Sequence, residues 1–215
     1  MVSPCLELLN LGLCIGGTLL VMVACGLPSW KVSAYIEGNI VVSQSISDGL
    51  WMSCVVQSTG QIQCKVHDSM LALSKDLQIA RALTVISSVT GIIGMIVAIA
   101  GAQCTNCFGT QAVKANLAKA GGVIFIISGL FVLVPLCWMA NNIISDFYNM
   151  EVPATNKREI GAAIYIGWAA AALLMLGGTM FLLQCLATSN SSYPIKYAST
   201  KVTTQNRDFD KKNYV

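Results

Sequence analysis

Residues 47–66 read SDGLWMSCVVQSTGQIQCKV and contain a clear hairpin pattern. Pairing residues symmetrically about Thr59 places Cys54 opposite Cys64 and leaves a three-residue turn, 58–60, in which Gly60 can adopt a left-handed conformation. A disulfide between these cysteines would constrain the unfolded chain by about 2.5–3 kcal/mol in the loop-entropy estimate. Two reduced, buried cysteines are the alternative. The pattern therefore predicts a small β-hairpin that a disulfide can close.

Long apolar segments flank this hairpin. The chain has 215 residues, of which 55% are hydrophobic and 11% charged, and its mean hydropathy is +0.67. So little charge does not suit the surface of a soluble domain, and a bilayer is the expected solvent. Four runs have roughly the 20 residues that span a hydrocarbon core: 8–27, 82–101, 117–139 and 161–183. A cleaved signal peptide is the alternative for the first run, but no Lys or Arg precedes it.

The segment 28–81, between the first two spans, alternates apolar and polar residues as strands do. Strands are predicted at 30–36, 39–46, 50–56 and 61–66, and a helical pattern then leads into the second span. So small a sheet cannot stand alone and must rest on the helices, with Trp30 and Trp51 at the membrane interface. The fold class predicted is a membrane protein with a four-helix transmembrane bundle and an antiparallel sheet of four to five strands.

The orientation of the bundle follows from its cysteines. Lys and Arg are divided almost evenly between the two sides, so the positive-inside rule gives little preference. Disulfides persist in oxidising compartments, which predicts that 28–81 and 140–160 are extracellular. The predicted cytosolic segments are 1–7, 102–116 and 184–215. Three cysteines flank spans on that side and are candidates for S-palmitoylation: Cys104, Cys107 and Cys185.

Seven residues carry a resemblance to a known family: Trp30, Gly49, Leu50, Trp51, Cys54, Cys64 and Arg81. Their order resembles the W-GLW-C-C pattern of the claudins, and the stretch 54–66 is most similar to the barrier-type members. The resemblance implies a structural protein of the tight junction, in the plasma membrane of epithelial or endothelial cells. No catalytic residue, cofactor or metal site is implied, and no nucleic acid partner. The implied partners are copies of itself and other claudins, side by side in one membrane (cis) and head to head across two (trans).

The resemblance also implies residues that control ion selectivity. Cation-conducting claudins carry acidic residues at or near Lys65, whereas Gln57 and Val66 here are neutral. A single charge in a narrow aqueous pore can set the sign of selectivity, so we expect a barrier that disfavours cations, with weak anion preference. A solvated lysine without such a role is the alternative. His67 could make permeability vary near pH 6.5, the alternative being an ordinary surface residue.

Assembly residues follow from the same resemblance. Met70 would enter a pocket that includes Phe147 in a neighbouring protomer, as a cis contact; packing of both within one protomer is the alternative. The predicted trans contact comprises Phe147, Tyr148, Asn149, Met150, Glu151 and Val152. Enterotoxin-binding claudins have Asn-Pro-Leu/Met-Val where this chain has residues 149–152. Because Glu151 replaces an apolar residue that would enter a pocket, burial is costly and toxin binding is predicted to be poor.

The tail 184–215 is rich in polar residues and is predicted to be disordered. It ends in Tyr214-Val215, whose free carboxylate and apolar side chain suit capture by a PDZ domain through strand addition. Cytosolic scaffold proteins of the zonula occludens type are therefore predicted partners.

Two other classes of function share individual features of this sequence. Cys104 and Cys107 form a C-x-x-C pair, but the predicted topology places them on the opposite side of the membrane from Cys64, which argues against a thiol oxidoreductase. An accessory channel subunit or a myelin-type adhesion protein of the wider claudin superfamily is the remaining alternative, since these share the Gly-Leu-Trp triplet and the cysteine pair.

Overall fold

The computed structural model describes residues 4–33, 45–57, 60–67, 69, 73–102, 111–151, 153 and 157–190. For residues 4–5, 111–112 and 185–190 it describes the backbone only. Among the described residues, four helices are long and apolar enough to cross a membrane. They are α1 (Pro4–Gly26), α2 (Lys75–Gly101), α3 (Gln111–Tyr148) and α4 (Ala162–Asn190).

Helix α3 extends well beyond its predicted apolar run. Its 38 residues correspond to about 57 Å at 1.5 Å per residue, whereas a hydrocarbon core is about 30 Å thick. The helix continues past the expected end at 139 because Ile143, one turn further on, is buried in the core. Pro135 lies inside the helix without ending it. One part of α3 must therefore project from the bilayer.

Close packing between α2 and α3 includes a pair of buried serines. The Ser87 hydroxyl donates to the Ser128 carbonyl and the Ser128 hydroxyl donates to the Ser87 carbonyl, each at 2.8 Å. Such interhelical bonds contribute about 0.6 kcal/mol on average in a bilayer. Gly91 on α2 faces the same hydroxyl, since a Cβ there would lie 3.3 Å from the Ser128 Oγ. Small and polar side chains thus let these helices approach closely.

The sheet has five strands in the order β4-β3-β2-β1-β5, with all neighbours antiparallel. The strands are β1 (Lys31–Ser33), β2 (Ser45–Asp48), β3 (Met52–Val56), β4 (Ile62–Val66) and β5 (Arg158–Ile160). The fifth strand comes from the segment between α3 and α4 and pairs with β1. We call the end of the bundle that carries this sheet the sheet end.

The hairpin of β3 and β4 has the predicted register. Cys54 lies opposite Cys64, Val55 lies opposite Gln63, and a disulfide joins the two cysteines. Gly60 has a φ of 79°, a conformation that glycine adopts without steric cost. Its amide donates to the Gln57 carbonyl at 2.9 Å. The prediction of a disulfide-closed hairpin is confirmed.

Candidate functional site

The residues of the W-GLW motif join the sheet to the helices. Trp30 is fully buried, and its indole Nε1 donates to the Ala24 carbonyl at the end of α1, at 2.8 Å. Trp30 therefore packs inside the protein. The prediction that it lies at the membrane interface in contact with lipid is wrong for this residue. Leu50 is also fully buried, whereas Trp51 remains 39% exposed. The motif is thus a structural joint between α1 and the sheet.

Arg81 holds this joint from the side of α2. Its guanidinium is buried, and both Nε and Nη2 donate to the Leu50 carbonyl, the former at 2.9 Å. The same guanidinium lies 4.6 Å from the centroid of the Trp51 ring, in the range of a cation–π interaction. A buried cation needs such partners because burial removes its hydration.

Gly49 allows the closest approach within the joint. A Cβ at this position would overlap the Pro28 backbone and lie 2.9 Å from the Leu27 carbonyl oxygen. His67 lies next to the same turn, and its amide donates to the Trp51 carbonyl at 3.1 Å. Its ring Nε2 is 3.4 Å from the Gly49 carbonyl oxygen. This half-buried ring lies at the base of the hairpin, and its effect on permeability stays a prediction.

Lys65 belongs to a row of residues that crosses all five strands. Lys31 lies opposite both Ile160 and Asp48, Asp48 lies opposite Ser53, and Ser53 lies opposite Lys65. Directly paired residues have their side chains on the same face of a sheet. The row therefore places Lys31, Asp48 and Lys65 on one face, which we call the Lys65 face.

Arg158 on β5 belongs to this face as well. Its Nη2 lies 3.5 Å from the Asp48 Oδ2, with both side chains about one quarter exposed. Gln57, predicted to be a neutral residue near the pore, lies at the end of the hairpin, where its amide donates to the Gln61 carbonyl. Sequence analysis selected Lys65 and Gln57 but missed Lys31, Asp48 and Arg158, since only strand pairing brings them to the same surface.

Two of the predicted assembly residues, Phe147 and Tyr148, lie where α3 ends. Phe147 and Tyr148 have ring centroids 5.6 Å apart with an edge-to-face geometry, and the Lys157 ammonium lies 5.5 Å from the centroid of the Phe147 ring. Beside them is a cavity of about 270 Å³, whose lining includes Phe147, Tyr148, Ile160 and Tyr165. This cavity is open to the surroundings, between the projecting end of α3, β5 and the start of α4.

The turn after α3 presents exposed apolar side chains. Tyr148 is 78% exposed and Met150 is 99% exposed. The turn is ordered locally because the Asn149 side chain accepts a hydrogen bond from the Glu151 amide at 3.0 Å. The structure thus places four residues of the predicted trans contact at one tip.

Some predicted site residues cannot be placed. Met70, Val152, Cys104, Cys107, Tyr214 and Val215, and the side chain of Cys185, lie outside the described residues. Their assigned roles stay predictions.

Comparison with known proteins identifies the family. Residues 5–181 match the PMP-22/EMP/MP20/Claudin family. Human claudin-5 is 50% identical over 216 residues, covering 99% of this chain and 99% of that protein. Human claudin-4 is 48% identical over 201 residues, covering 94% of this chain and 96% of that protein. Human claudin-3 is 51% identical over 197 residues, covering 92% and 87% respectively. The chain therefore belongs to the PMP-22/EMP/MP20/Claudin family and, within it, to the claudins, which are multi-pass membrane proteins of the tight junction with a structural and not an enzymatic role.

Proposed function

We propose that this chain polymerises in cis and in trans into tight-junction strands that limit paracellular permeability, with a barrier character or a weak preference for anions. The observation that carries this proposal is the Lys65 face, on which three cationic side chains are accompanied by one carboxylate. Such a face repels cations from the space above the sheet. The sheet end is extracellular in this proposal, since the Cys54–Cys64 disulfide requires an oxidising compartment, and both termini are cytosolic.

Lys65→Asp tests the selectivity. A unit charge about 4 Å from a permeating ion contributes about 1 kcal/mol even in bulk water. This energy corresponds to about a fivefold change in the local concentration of that ion. Reversal of the Lys65 charge should therefore raise sodium-over-chloride permeability at least about fivefold. The measurement is the dilution potential across monolayers of epithelial cells that lack their own claudins and express this chain. Lys65→Arg, which keeps the charge, is the matched control and should leave the ratio unchanged. An unchanged ratio in Lys65→Asp, with strands of normal length, contradicts the proposed role.

For cis assembly, we propose that Met70 of one protomer enters the cavity beside Phe147 of the next. The aromatic and aliphatic side chains of this lining suit a flexible thioether, and the charged residues Arg158 and Glu159 complete the lining. Met70→Ala and Phe147→Ala should both shorten the strands seen by freeze-fracture electron microscopy in cells that lack other claudins. Met180→Ala is the control, because Met180 is an exposed residue of α4 far along the chain from the cavity. Long, continuous strands in both Met70→Ala and Phe147→Ala would exclude this contact as the polymerising one.

Further contacts and modifications are proposed for the tip after α3, the tail and the cysteines beside the spans. The tip formed by Tyr148 and Met150 is the proposed trans contact, since large exposed apolar groups favour association. Glu151 makes this tip a poor ligand for the bacterial enterotoxin. The terminal Tyr214-Val215 binds PDZ domains of zonula occludens-type scaffolds. Cys104, Cys107 and Cys185 are the proposed palmitoylation sites.

A further inference from the structure

Asp48 occupies the centre of the Lys65 face. It is the direct neighbour of Lys31 on β1 and lies two strands from Lys65 on β4. Because adjacent strands are about 4.8 Å apart, Asp48 and Lys65 are about 10 Å apart across the sheet. The ion pair with Arg158, at 3.5 Å, confirms that the Asp48 carboxylate points to this face.

The structure describes four charged residues on the Lys65 face, Lys31, Asp48, Lys65 and Arg158, which we call the charge cluster, and their own formal charges do not balance. Lys31, Lys65 and Arg158 contribute three positive charges and Asp48 contributes one negative charge, which leaves a net charge of +2. All three cations lie within roughly one to two strand spacings of Asp48, comparable to the Debye length of about 8 Å at physiological ionic strength. The carboxylate therefore reduces the field of the whole cluster as well as that of its ion-pair partner.

We propose that Asp48 is a specificity-determining residue that weakens the anion preference of the Lys65 face. The ions concerned are small inorganic ions that pass along this surface, and the net charge of Lys31, Asp48, Lys65 and Arg158 sets the ratio of chloride to sodium permeability. This inference rests on the proposed paracellular function and adds three residues to the selectivity surface. Lys31 and Arg158 attract anions together with Lys65, and Asp48 opposes them.

The decisive test compares two variants that break the same ion pair. Asp48→Asn raises the net charge of the cluster to +3, and Arg158→Gln lowers it to +1. In monolayers that express the full chain, Asp48→Asn should raise chloride-over-sodium permeability and Arg158→Gln should lower it. Each change should be about twofold, because an unscreened unit charge about 10 Å away alters local ion concentration about twofold in bulk water. Salt screening reduces this effect, and the lower dielectric constant of a confined space increases it. A purely structural role predicts the same direction for both variants, since both remove one ion pair.

Three further variants keep the inference falsifiable if either single change impairs folding. Asp48→Glu retains the carboxylate and should keep the wild-type ratio. The double variant Asp48→Asn with Arg158→Gln restores a net charge of +2 and should return the ratio to that of the wild type. Lys31→Gln lowers the net charge without removing the Asp48–Arg158 ion pair and should act in the same direction as Arg158→Gln.

Glu159 supplies the matched control. It neighbours Arg158 on β5 but, by strand alternation, its side chain lies on the opposite face. Glu159→Gln removes the same charge as Asp48→Asn and should leave the permeability ratio unchanged. Because Glu159 also lines the cavity beside Phe147, the comparison is made between variants whose strands have normal length by freeze-fracture electron microscopy.

The possible outcomes separate this inference from the proposed function. Opposite shifts in Asp48→Asn and Arg158→Gln support the inference. If Lys65→Asp changes the ratio while the Asp48 and Arg158 variants shift it in the same direction or not at all, the inference is wrong and the selectivity role of Lys65 stands. If no variant, Lys65→Asp included, changes the ratio although strands are normal, the charge-selective function itself is wrong.

Discussion

Gly161→Ala is expected to destabilise the protein strongly, because two backbone segments meet at this residue. A Cβ at Gly161 would overlap the Ser29 carbonyl oxygen and lie 2.6 Å from its carbonyl carbon. The Gly161 amide also donates to the Trp30 carbonyl at 3.0 Å, and the Ala163 amide donates to the Ser29 carbonyl at 3.1 Å. These bonds tie the start of α4 to the link between α1 and β1. Backbone cannot move aside as a side chain can, so neither segment can relieve the overlap without losing these bonds.

The expected cost is about 3 kcal/mol, the upper part of the range for overpacked sites, and should lower the Tm by about 6–12 °C. Thermal unfolding of the purified protein in detergent measures it. Gly16→Ala is the matched control, since a Cβ at Gly16 on α1 would meet nothing within 4 Å. That variant should be neutral or slightly stabilising, because alanine favours a helix over glycine by up to about 1 kcal/mol. Equal Tm values for the two variants would mean that Gly161 is not closely packed against residues 29–30 in the native protein.

Arg81→Met should destabilise the joint between the sheet and α2 by about 1.5–5 kcal/mol. The substitution keeps an unbranched side chain but removes both donors to the buried Leu50 carbonyl. An unsatisfied buried acceptor costs about 1–3 kcal/mol, and the lost cation–π contact with Trp51 adds about 0.5–2 kcal/mol. Detergent-phase thermal unfolding and the fraction of the protein at the cell surface both report this loss.

Three comparisons identify the physical cause of this loss of stability. Lys75→Met removes a cation from the exposed start of the same helix and should change the Tm little. Arg81→Lys should be intermediate, since an ammonium retains the charge but not the planar set of donors. A double-mutant cycle with Trp51→Leu should give a coupling free energy, because the two side chains are in contact. If Arg81→Met is as stable as the wild type, the buried guanidinium contributes nothing to the attachment of the sheet.

Much of the architecture could be predicted from local pattern. The four spans follow from composition, because a long apolar helix satisfies its own backbone hydrogen bonds in a bilayer. The hairpin register follows from the spacing of Cys54 and Cys64 about a glycine-containing turn, since a three-residue turn leaves one symmetric pairing. Both signals lie within short stretches of chain, so no knowledge of distant contacts is needed.

Other features could not be read in this way. Strand β5 has only three residues, Arg158–Ile160, whose alternation is too short to identify a strand. This strand forms because its residues pair with the edge of β1. The pairing requires α3 and α4 to bring residues 158–160 beside that edge. The extension of α3 to Tyr148 has a similar cause, since burial of Ile143 depends on neighbouring elements.

Residue type and spacing within local segments are enough to predict the class of protein, the number of membrane-spanning helices, the disulfide-closed hairpin and the family pattern. Which charges act together depends instead on the folded arrangement of the strands. Lys31, Asp48, Lys65 and Arg158 are far apart along the chain, and they share one surface because five short strands align in a particular register. A shift of one residue in any strand would turn its side chain to the other face, so the composition of the Lys65 face is a property of strand pairing.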